Sequence, residues 1–522
     1  MILGDIIERN ERHFGSKPAL IFENRTLTHR EFAQRVRKLS NALVARGIRK
    51  QERLAVLSRN CPEYLEVYGA AGLAGFIGVG VNYRLSAPEQ ADVLDDSKPA
   101  VVFFEAEYEA RMLELKAAMP ASTLFVAFDK VSSAASAWSM PYEHLLEEGV
   151  DAPTAIRAVD DDTLLLIYTS GTTGRAKGVM LGNAGQVAQA RGQALTHSAQ
   201  PDDRMLIVMP FYHIGGPTEL LTFTVVGATI VLHRTFDAAA ILCSIQEQKV
   251  TVAHLAPTMI QMMLEVQEKT PFDVSSLRTI VYASAPMSVA LSRRARAVFG
   301  PIFMQIYGMT ELGLGTTLLK HQHILDGTPD EVKRLASAGQ PYVDTEIRIA
   351  RADASACDTG EIGEVWMRSP SLMQGYWNRP EQTADAIGTG FMKTGDVGYF
   401  DDEHFLFLVD RKKDMIVSGG ENIYSREVEE CLLMHPAVAE ASVIGVPDEK
   451  WGESVMAFVV LRTGASLSLE QAIEHCRTMI ASYKKPRYLN VIDAMPRVPS
   501  TNKIDKRALR EPYWSKAGRQ VA

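Results

Sequence analysis

The chain has 522 residues, of which 46% are hydrophobic, and it carries 55 Lys and Arg against 63 Asp and Glu. At roughly 150 residues per domain, this length predicts about three or four structural units with real cores and excludes a mini-protein or a disordered tail. The formal net charge of −8 excludes the strongly basic surface by which nucleic acid or an anionic membrane would be bound.

The spacing of the cysteines and the composition of the N-terminal segment indicate the cellular compartment of the protein. The five cysteines are scattered along the chain without any C-x-x-C pair, which argues against a disulfide framework and a zinc knuckle and favours a reducing environment. The first 14 residues are rich in charge and lack the apolar stretch of a secretory signal. The longest nearly uncharged run, residues 68–81, is shorter than the roughly 20 residues of a spanning helix. We predict a cytoplasmic protein without a transmembrane segment, in which this run forms a buried helix and strand.

Strands and helices are predicted to alternate through the first 334 residues. Up to about residue 160, the sequence predicts a helix at 27–46, strands at 53–57 and 100–104, and a loop at 132–139. From about 161 to 334, apolar runs typical of strands recur at residues 164–168, 205–210, 229–233, 250–257 and 279–284. This alternation predicts two α/β subdomains with mostly parallel strands.

The pattern changes after residue 334. Residues 335–409 contain short strand-like runs separated by Gly and Asp turns, which predict a small β-barrel-like subdomain. Beyond Asp410, a helix at 426–434, strands at 438–446 and 455–461, and a helix before Ser482 predict an α+β domain. The charged run 410–414 separates a large N-terminal domain, residues 1–409, from a C-terminal domain, residues 410–522.

One loop carries the strongest chemical signal. The strand at 164–168 leads directly into Thr169-Ser170-Gly171-Thr172-Thr173-Gly174-Arg175-Ala176-Lys177-Gly178. Backbone N–H groups, hydroxyls and a lysine in such a loop suit the oxygens of a triphosphate. It is not a Walker A loop, because Lys177 is followed by Gly178 rather than by Ser or Thr. Taken alone, the segment is also compatible with a flexible glycine loop.

The whole string resembles the signature loop of the adenylate-forming superfamily, which includes acyl-CoA synthetases, firefly luciferase and the adenylation domains of peptide synthetases. Further segments match in the order used by that family: Pro210-Phe211-Tyr212-His213, Tyr282-Ala283-Ser284-Ala285-Pro286, Tyr307-Gly308-Met309-Thr310-Glu311, Thr394-Gly395-Asp396, Asp410-Arg411-Lys412-Lys413-Asp414 and Thr501-Asn502-Lys503. The resemblance implies an AMP-forming acyl-CoA synthetase. In this reaction a carboxylate attacks the α-phosphate of ATP to give an acyl-adenylate and pyrophosphate, and the thiol of coenzyme A then displaces AMP.

The resemblance also implies roles for residues that bind ATP and Mg²⁺. Glu311 would bind Mg²⁺, Thr310 would bond a phosphate oxygen, and Tyr307 would stack on adenine. Asp396 would accept the ribose hydroxyls, and Arg411 would contact ribose or phosphate. The remaining nucleotide contacts would come from Thr169, Ser170, Gly171, Thr172, Thr173, Gly174, Lys177, Ala285 and Pro286.

A mobile C-terminal domain is the next implication. Lys503 would reach the reacting carboxylate and α-phosphate during adenylation, although Asn502 replaces a glycine that is usual in the family. The C-terminal domain would then rotate about Lys413, withdraw Lys503, and bring Gly419 and Gly420 to the pantetheine of coenzyme A. Glycines suit this role because they let the backbone approach a ligand closely.

Each of these residues has a structural alternative when it is considered alone. Glu311 could be an exposed acid in a turn after a strand, and Asp396 could be a simple turn former. Lys503 could be a solvated surface lysine. His213, which the resemblance implies as a gate of the acyl pocket, could be an ordinary core or edge histidine.

The resemblance also bears on the substrate. The resemblance implies an acyl pocket lined by residues 212–216, 282–284 and 306–314, which contain small and apolar side chains but no lysine, arginine or paired acid. The partner is therefore expected to be a small apolar monocarboxylic acid: medium-chain fatty, alicyclic or aromatic. No aspartate near His213 is available to bind the ammonium group of an amino acid, which argues against a peptide-synthetase unit.

Two other functions stay open. The enzyme could transfer its acyl group to a carrier protein or another acceptor, or the chain could be an inactive adenylate-binding scaffold. The joint presence of Glu311, Asp396 and Lys503 argues against the scaffold. The sequence leaves the oligomeric state open, and a homodimer is compatible with it.

Overall fold

The structure is a computed structural model that describes residues 1–129, 132, 137–169, 176–283, 287–418, 421–448, 450–498 and 503–514. The strands of these residues are β1 (Pro18–Phe22), β2 (Arg25–Thr28), β3 (Arg53–Leu57), β4 (Ile77–Gly80), β5 (Val101–Phe104), β6 (Leu124–Ala127), β7 (Met140–Pro141), β8 (Thr163–Thr169), β9 (Lys177–Gly182), β10 (Arg204–Ile207), β11 (Thr229–Leu232), β12 (Val252–Leu255), β13 (Thr279–Tyr282), β14 (Phe303–Met309), β15 (Gly313–Leu318), β16 (Gln340–Pro341), β17 (Glu346–Ala350), β18 (Gly363–Arg368), β19 (Gly375–Tyr376), β20 (Met392–Phe400), β21 (Leu406–Arg411), β22 (Ile416–Ser418), β23 (Glu421–Ile423), β24 (Val438–Asp448), β25 (Gly452–Leu461) and β26 (Tyr488–Val491).

The α-helices of the same residues are α1 (Leu3–Phe14), α2 (His29–Ala45), α3 (Pro62–Ala74), α4 (Ala87–Ser97), α5 (Glu109–Lys116), α6 (Tyr142–Glu148), α7 (Asn183–Thr196), α8 (Gly215–Val226), α9 (Ala238–Gln248), α10 (Pro257–Gln267), α11 (Val289–Phe299), α12 (Pro329–Lys333), α13 (Pro380–Ile387), α14 (Ser425–Leu433), α15 (Leu469–Met479) and α16 (Lys506–Trp514). No helix among the described residues is both long enough and apolar enough to span a bilayer. All five cysteines are free thiols.

The chain divides into two compact units. Unit 1 comprises Met1–Ile347, Met367–Met392 and His404–Leu406, and unit 2 comprises Arg348–Trp366, Lys393–Glu403 and Phe407–Ala522. The mixed α/β class with a large N-terminal and a small C-terminal part is confirmed. The units group much of the β-rich region with the C-terminal region, whereas the sequence suggested a division near residue 410.

Two large sheets form the framework of unit 1. The first has the order β19-β9-β8-β4-β3-β5-β6-β7, and the second has the order β16-β15-β14-β13-β12-β10-β11-β1-β2. Strands β3 to β8 pair in parallel, as do β10 to β14, whereas antiparallel pairs lie at the sheet edges. The prediction of mostly parallel strands is therefore confirmed. Parallel strands are buried on both faces, which explains why they read as continuous apolar runs.

Each of the two sheets contains strands from both sides of residue 160 in the sequence. β8 and β9 follow residue 160 but pair within the sheet of β3 to β7. β1, near the N-terminus, pairs in parallel with β11 of the other sheet, with Leu20 opposite Ile230. The expected boundary near residue 160 therefore does not separate the sheets. This pairing joins strands about 210 residues apart, so no local pattern could reveal it.

The run 68–81 forms the predicted buried helix and strand. α3 begins with Pro62, whose fixed φ suits the first helical turn. The helix ends at Gly75, which has φ 82°, a left-handed conformation that favours glycine. β4 follows immediately and is fully buried.

A buried ion pair joins three helices near the N-terminal end of unit 1. Glu66 on α3 is fully buried. It accepts hydrogen bonds from Arg35 Nε of α2 at 2.7 Å and from the Tyr142 hydroxyl of α6 at 2.7 Å. Burial raises the pKa of Glu66, while Arg35 and Tyr142 favour its charged form. Arg35 also contacts Glu143, whose side chain is 59% exposed.

We expect Glu66→Ala to lower the free energy of unfolding of unit 1 by about 3–5 kcal/mol, because Arg35 and Tyr142 would lose a buried partner. Glu143→Ala removes an exposed carboxylate from the same arginine and should cost at most about 1 kcal/mol. Urea denaturation followed by circular dichroism measures both variants. Equal effects of the two substitutions would contradict the distinction between the buried and the exposed pair.

Unit 2 contains most of one sheet and all of another. β17, β18, β20 and β21 form a four-stranded sheet in that order, in the region predicted to be barrel-like. The second sheet has the order β23-β22-β25-β24, and β26 pairs in parallel with β25. α14 and α15 cover an apolar core that includes Val428, Val443 and Ala472. The predicted α+β character of the C-terminal region is thereby confirmed.

Candidate functional site

The predicted phosphate loop is carried by an antiparallel hairpin in unit 1. β8 ends at Thr169 and β9 begins at Lys177, and these two residues face each other in the strand register. The hairpin therefore anchors both ends of the loop to a buried sheet. Ser170, Gly171, Thr172, Thr173 and Gly174 lie outside the described residues.

Thr310 and Glu311 follow β14, where the chain turns back into β15. Thr310 and Glu311 are both buried. The Glu311 carbonyl accepts a hydrogen bond from Met373 N at 2.7 Å, which fixes the turn to the segment before β19. Glu311 is therefore not the exposed acid of the structural alternative. A carboxylate that is buried in this way needs specific polar or charged partners.

Tyr376 links two predicted site residues and was missed by the sequence analysis. Its hydroxyl donates to Glu311 Oε1 at 2.9 Å, and Lys177 Nζ lies 5.2 Å from the centre of its ring. Tyr376 belongs to β19, which pairs with β9 so that Tyr376 faces Val179. Burial and the Glu311 carboxylate raise the pKa of Tyr376, which therefore stays a protonated donor. The signal in the sequence was an aromatic pair, Tyr376-Trp377, shortly before the start of α13.

We expect Tyr376→Phe to weaken binding of ATP with Mg²⁺ about 10–100-fold, because a hydrogen bond to a charged group is lost while the ring under Lys177 remains. Titration calorimetry in the presence and absence of Mg²⁺ measures this change directly. Tyr376→Leu removes both contacts and should weaken binding further. An unchanged Mg²⁺ dependence of ATP binding in Tyr376→Phe would show that the hydroxyl does not position Glu311.

Tyr307 and His213, predicted near the adenine and acyl groups, both lie in unit 1. Tyr307 is half-buried on β14 and faces Thr316 of β15. His213 is half-buried in the turn before α8, where its Nδ1 accepts a hydrogen bond from Gly215 N at 3.2 Å. Ala285 and Pro286 lie outside the described residues.

Polar side chains from outside the predicted acyl-pocket segments lie next to them. Glu219 Oε1 accepts a hydrogen bond from Gln193 Nε2 at 2.8 Å and lies 3.2 Å from His254 Nδ1. Burial opposes ionisation of Glu219, but its interaction with His254, the charge effect of His197 and the hydrogen bond from Gln193 lower its pKa. The sequence showed no paired acid within the predicted segments, and it missed this pair because α7, α8 and β12 meet only in the folded chain.

Unit 2 brings together three residues that the sequence singled out. Arg411 Nε lies 2.6 Å from Asp396 Oδ1, because β20 and β21 are neighbours and Lys412 N bonds the Gly395 carbonyl at 2.8 Å. Desolvation and the positive charge of Arg411 lower the pKa of Lys503, while the Asp396 carboxylate raises it. The charges of Arg411 and Asp396 therefore both act on the Lys503 ammonium group. The residue as a whole is exposed to solvent.

Backbone contacts hold Lys503 and Ile504 against the segment that ends at Val498. Val498 N donates a hydrogen bond to the Lys503 carbonyl at 2.8 Å. Arg497 and Ile504 pair through their backbones as an isolated antiparallel β-bridge. The neighbouring lysine has a structural role instead: Lys506 Nζ lies 2.7 Å from Glu429 Oε1 and 2.7 Å from Ser425 Oγ. The charges of Asp396 and Arg411 both act on Lys503, whereas Lys506 is held by Glu429 and Ser425.

The predicted hinge residue Lys413 lies at an exposed turn between β21 and β22. On either side of it, Lys412 Nζ binds Glu364 Oε2 at 3.0 Å and Asp414 Oδ1 binds Arg510 Nη1 at 2.9 Å. Gly419 and Gly420, predicted to face coenzyme A, lie outside the described residues.

The donor set around Glu311 fits a magnesium ion that also carries phosphate. Within the described ranges, no group of three or more His, Cys, Asp or Glu side chains could hold a metal alone. Mg²⁺ in nucleotide sites commonly uses one or two carboxylates and completes its shell with phosphate oxygens and water. Glu311 would supply the carboxylate, with Thr310 beside it.

Comparison with known proteins identifies the family. The model of the AMP-binding enzyme family matches residues 7–377, and that of the AMP-binding enzyme C-terminal domain matches residues 427–502. A feruloyl-CoA synthase of Amycolatopsis sp is 35% identical over 492 residues, which cover 93% of this chain and 94% of the relative. An indoleacetate–CoA ligase of Aromatoleum aromaticum is 35% identical over 512 residues, which cover 97% and 98% of the two chains.

A solved structure agrees with these matches. The o-succinylbenzoate coenzyme A synthetase of Bacillus subtilis, solved in complex with ATP and magnesium ion, superposes with a TM-score of 0.83 at 31% identity. The match covers 98% of this chain and 99% of that chain. The chain therefore belongs to the AMP-binding enzyme family, within the adenylate-forming superfamily that its motifs resemble, and it is an enzyme of the acid–thiol ligase type.

Proposed function

We propose that this protein is an ATP-dependent carboxylic acid–CoA ligase that acts on an acid with a largely apolar body. It would form an acyl-adenylate and pyrophosphate, and then an acyl-CoA thioester and AMP. ATP, Mg²⁺ and coenzyme A are the small molecules that ligases of this type use. The observation that carries the proposal is the grouping of Lys503 with Asp396 and Arg411 in unit 2.

Adenylation joins two anions, so the chain must supply positive charge and oriented donors where charge develops. Two unit charges about 4 Å apart repel by roughly 4 kcal/mol at an effective dielectric of about 20. We assign Lys503 to the carboxylate and α-phosphate, and Asp396 to the ribose hydroxyls. In unit 1, Lys177 and the hairpin of β8 and β9 would hold phosphate oxygens.

Magnesium fits this assignment through Glu311. When bound, Mg²⁺ would neutralise part of the phosphate charge. Tyr376 would orient the Glu311 carboxylate through its 2.9 Å hydrogen bond. Thr310 would donate to a phosphate oxygen, and Tyr307 would stack on adenine.

For the thioester step, we propose that the segment beyond Lys413 changes orientation and withdraws Lys503. The exposed turn at Lys413 supports this role, because a few residues in such a turn can absorb a large backbone rotation. Gly419 and Gly420 would then approach coenzyme A. His213 would gate the acyl pocket from the turn before α8.

The small and apolar side chains of the acyl segments support a carboxylic acid with an apolar body. Val281, Ile306 and Leu314 form a buried cluster with Tyr342. The relatives named for feruloyl and indoleacetate substrates are consistent with a ring in this pocket. Discrimination by one methylene amounts to only about 1–3 kcal/mol, so chain length must be measured.

A panel of carboxylic acids tests the reaction class. We expect pyrophosphate exchange into ATP that depends on the added acid, and AMP release with acyl-CoA formation when coenzyme A is present. No exchange with fatty, alicyclic or aromatic members of the panel would refute the proposal. Exchange without any acyl-CoA product would instead support transfer to a carrier protein or another acceptor.

A further inference from the structure

A buried polar network lies next to the segments assigned to the acyl pocket. Gln193 of α7, Glu219 of α8 and His254 of β12 have relative exposures of 0%, 1% and 4%. Glu219 Oε1 accepts a hydrogen bond from Gln193 Nε2 at 2.8 Å and lies 3.2 Å from His254 Nδ1. Thr222 holds Gln193 in place with a hydrogen bond of 2.9 Å to its Oε1. The network therefore fixes one oxygen of a buried carboxylate.

Two acceptor atoms of this region have no hydrogen-bond partner within the part of the chain that the structure describes. They are Glu219 Oε2 and Gln189 Oε1, and both residues are more than nine-tenths buried. Gln189 lies one helical turn before Gln193 on α7, so the two glutamines share a face. Buried polar atoms are nearly always paired, because an unpaired acceptor keeps the cost of its lost hydration. Among the described residues, both oxygens are left without a donor, and the ring nitrogens of His197 and Nδ1 of His254 are also without a hydrogen-bond partner.

Two glycines connect this network to the pocket segments. A Cβ at Gly215 would lie 3.5 Å from His213 Nδ1 and 3.8 Å from His254 Cε1. A Cβ at Gly313, which has φ 84°, would lie only 1.9 Å from Gln189 Oε1. Gly215 belongs to segment 212–216 and Gly313 to segment 306–314. The polar network thus borders both pocket segments. Because Gly215 and Gly313 have no side chains, the polar side chains of the network lie close to the backbone of these two glycines.

We propose that Glu219 and Gln189 form a polar wall of the acyl pocket and select acids that carry a neutral hydrogen-bond donor, a hydroxyl or a ring N–H, remote from the carboxylate. This inference rests on the proposed ligase function and narrows its substrate class. A neutral donor fits better than a cation, because it suits the amide oxygen of Gln189 and brings no further charge among residues that are more than nine-tenths buried. The donor must be remote, since the carboxylate of the substrate has to reach ATP.

Matched acid pairs test the inference. Suitable pairs are cinnamate with para-hydroxycinnamate, octanoate with omega-hydroxyoctanoate, and naphthylacetate with indoleacetate. We expect the acid with the donor to have about tenfold or higher kcat/KM in at least one pair. In Glu219→Leu and in Gln189→Leu this ratio should fall toward one, while turnover of the acid without the donor persists.

Gln90→Leu is the matched control for Gln189→Leu, because Gln90 is a buried glutamine on α4 that bonds Asn82 and Arg111. It should leave the ratio unchanged. If Glu219→Leu does not fold, Gln189→Leu decides, since among the described residues the Gln189 side chain loses only a 3.5 Å contact from Nε2 to Thr218 Oγ1. Equal kcat/KM within every pair, or a preference unaffected by both variants, would overturn the inference while leaving the ligase function intact. Absence of exchange with all acids would overturn both.

Discussion

Lys503→Ala is expected to reduce carboxylate-dependent pyrophosphate exchange by about 10²–10³-fold, because it removes a cation aimed at charge that develops in the transition state. The same variant should still convert a supplied acyl-adenylate and coenzyme A to the thioester at close to the normal rate. Lys503 would act in the first half-reaction alone. Single-turnover measurements of each half-reaction separate the two effects.

Lys506→Ala is the matched control, since Lys506 is the neighbouring lysine and is bound to Glu429 and Ser425. It should lower stability and leave the exchange rate per folded molecule nearly unchanged. Gly420→Leu should give the opposite result to Lys503→Ala, with exchange preserved and the thiol step impaired. Equal loss of both half-reactions in Lys503→Ala would refute the assignment of this lysine to adenylation.

Much of the fold could be predicted because its central strands are buried and apolar. The runs at 164–168, 229–233 and 279–284 correspond to β8, β11 and β13. β1 and β2 were missed, since they are short and β1 finds its partner β11 about 210 residues away. Pairing at that distance depends on which sheet edge is free, and a local pattern does not contain that information.

The residues of the candidate site likewise fall into those that the sequence predicted and those that it missed. Glu311, Asp396 and Lys503 could be found because each lies within a contiguous motif. Tyr376 reaches Glu311 through the pairing of β19 with β9. The acid Glu219 was also missed, since Glu219 of α8 and His254 of β12 come together only in the folded chain. Residues that meet only through tertiary contacts have no fixed spacing in the sequence, so no motif reveals them.

Asp396→Asn is expected to weaken ATP binding about 10–100-fold, because a charged acceptor of the ribose hydroxyls is replaced by a neutral amide. It should also change the pH dependence of adenylation. Lys503 acts as a cation, so activity is lost as the pH rises through its pKa. The Asp396 carboxylate raises that pKa, and its removal should therefore move the alkaline loss of activity to lower pH.

Arg411→Gln provides the opposite charge change at the other end of the same ion pair. Arg411 lowers the pKa of Lys503, so its removal should move the alkaline loss of activity to higher pH. Exchange rates at saturating ATP and acid, measured from about pH 7 to 11, compare both variants with the parent. Shifts in the same direction would show that the alkaline limb does not report Lys503. Opposite shifts would tie the charge of Lys503 to the Arg411–Asp396 ion pair, whose Nε and Oδ1 atoms lie 2.6 Å apart. Within this pair, Asp396 would favour the protonated lysine needed for adenylation, and Arg411 would oppose it.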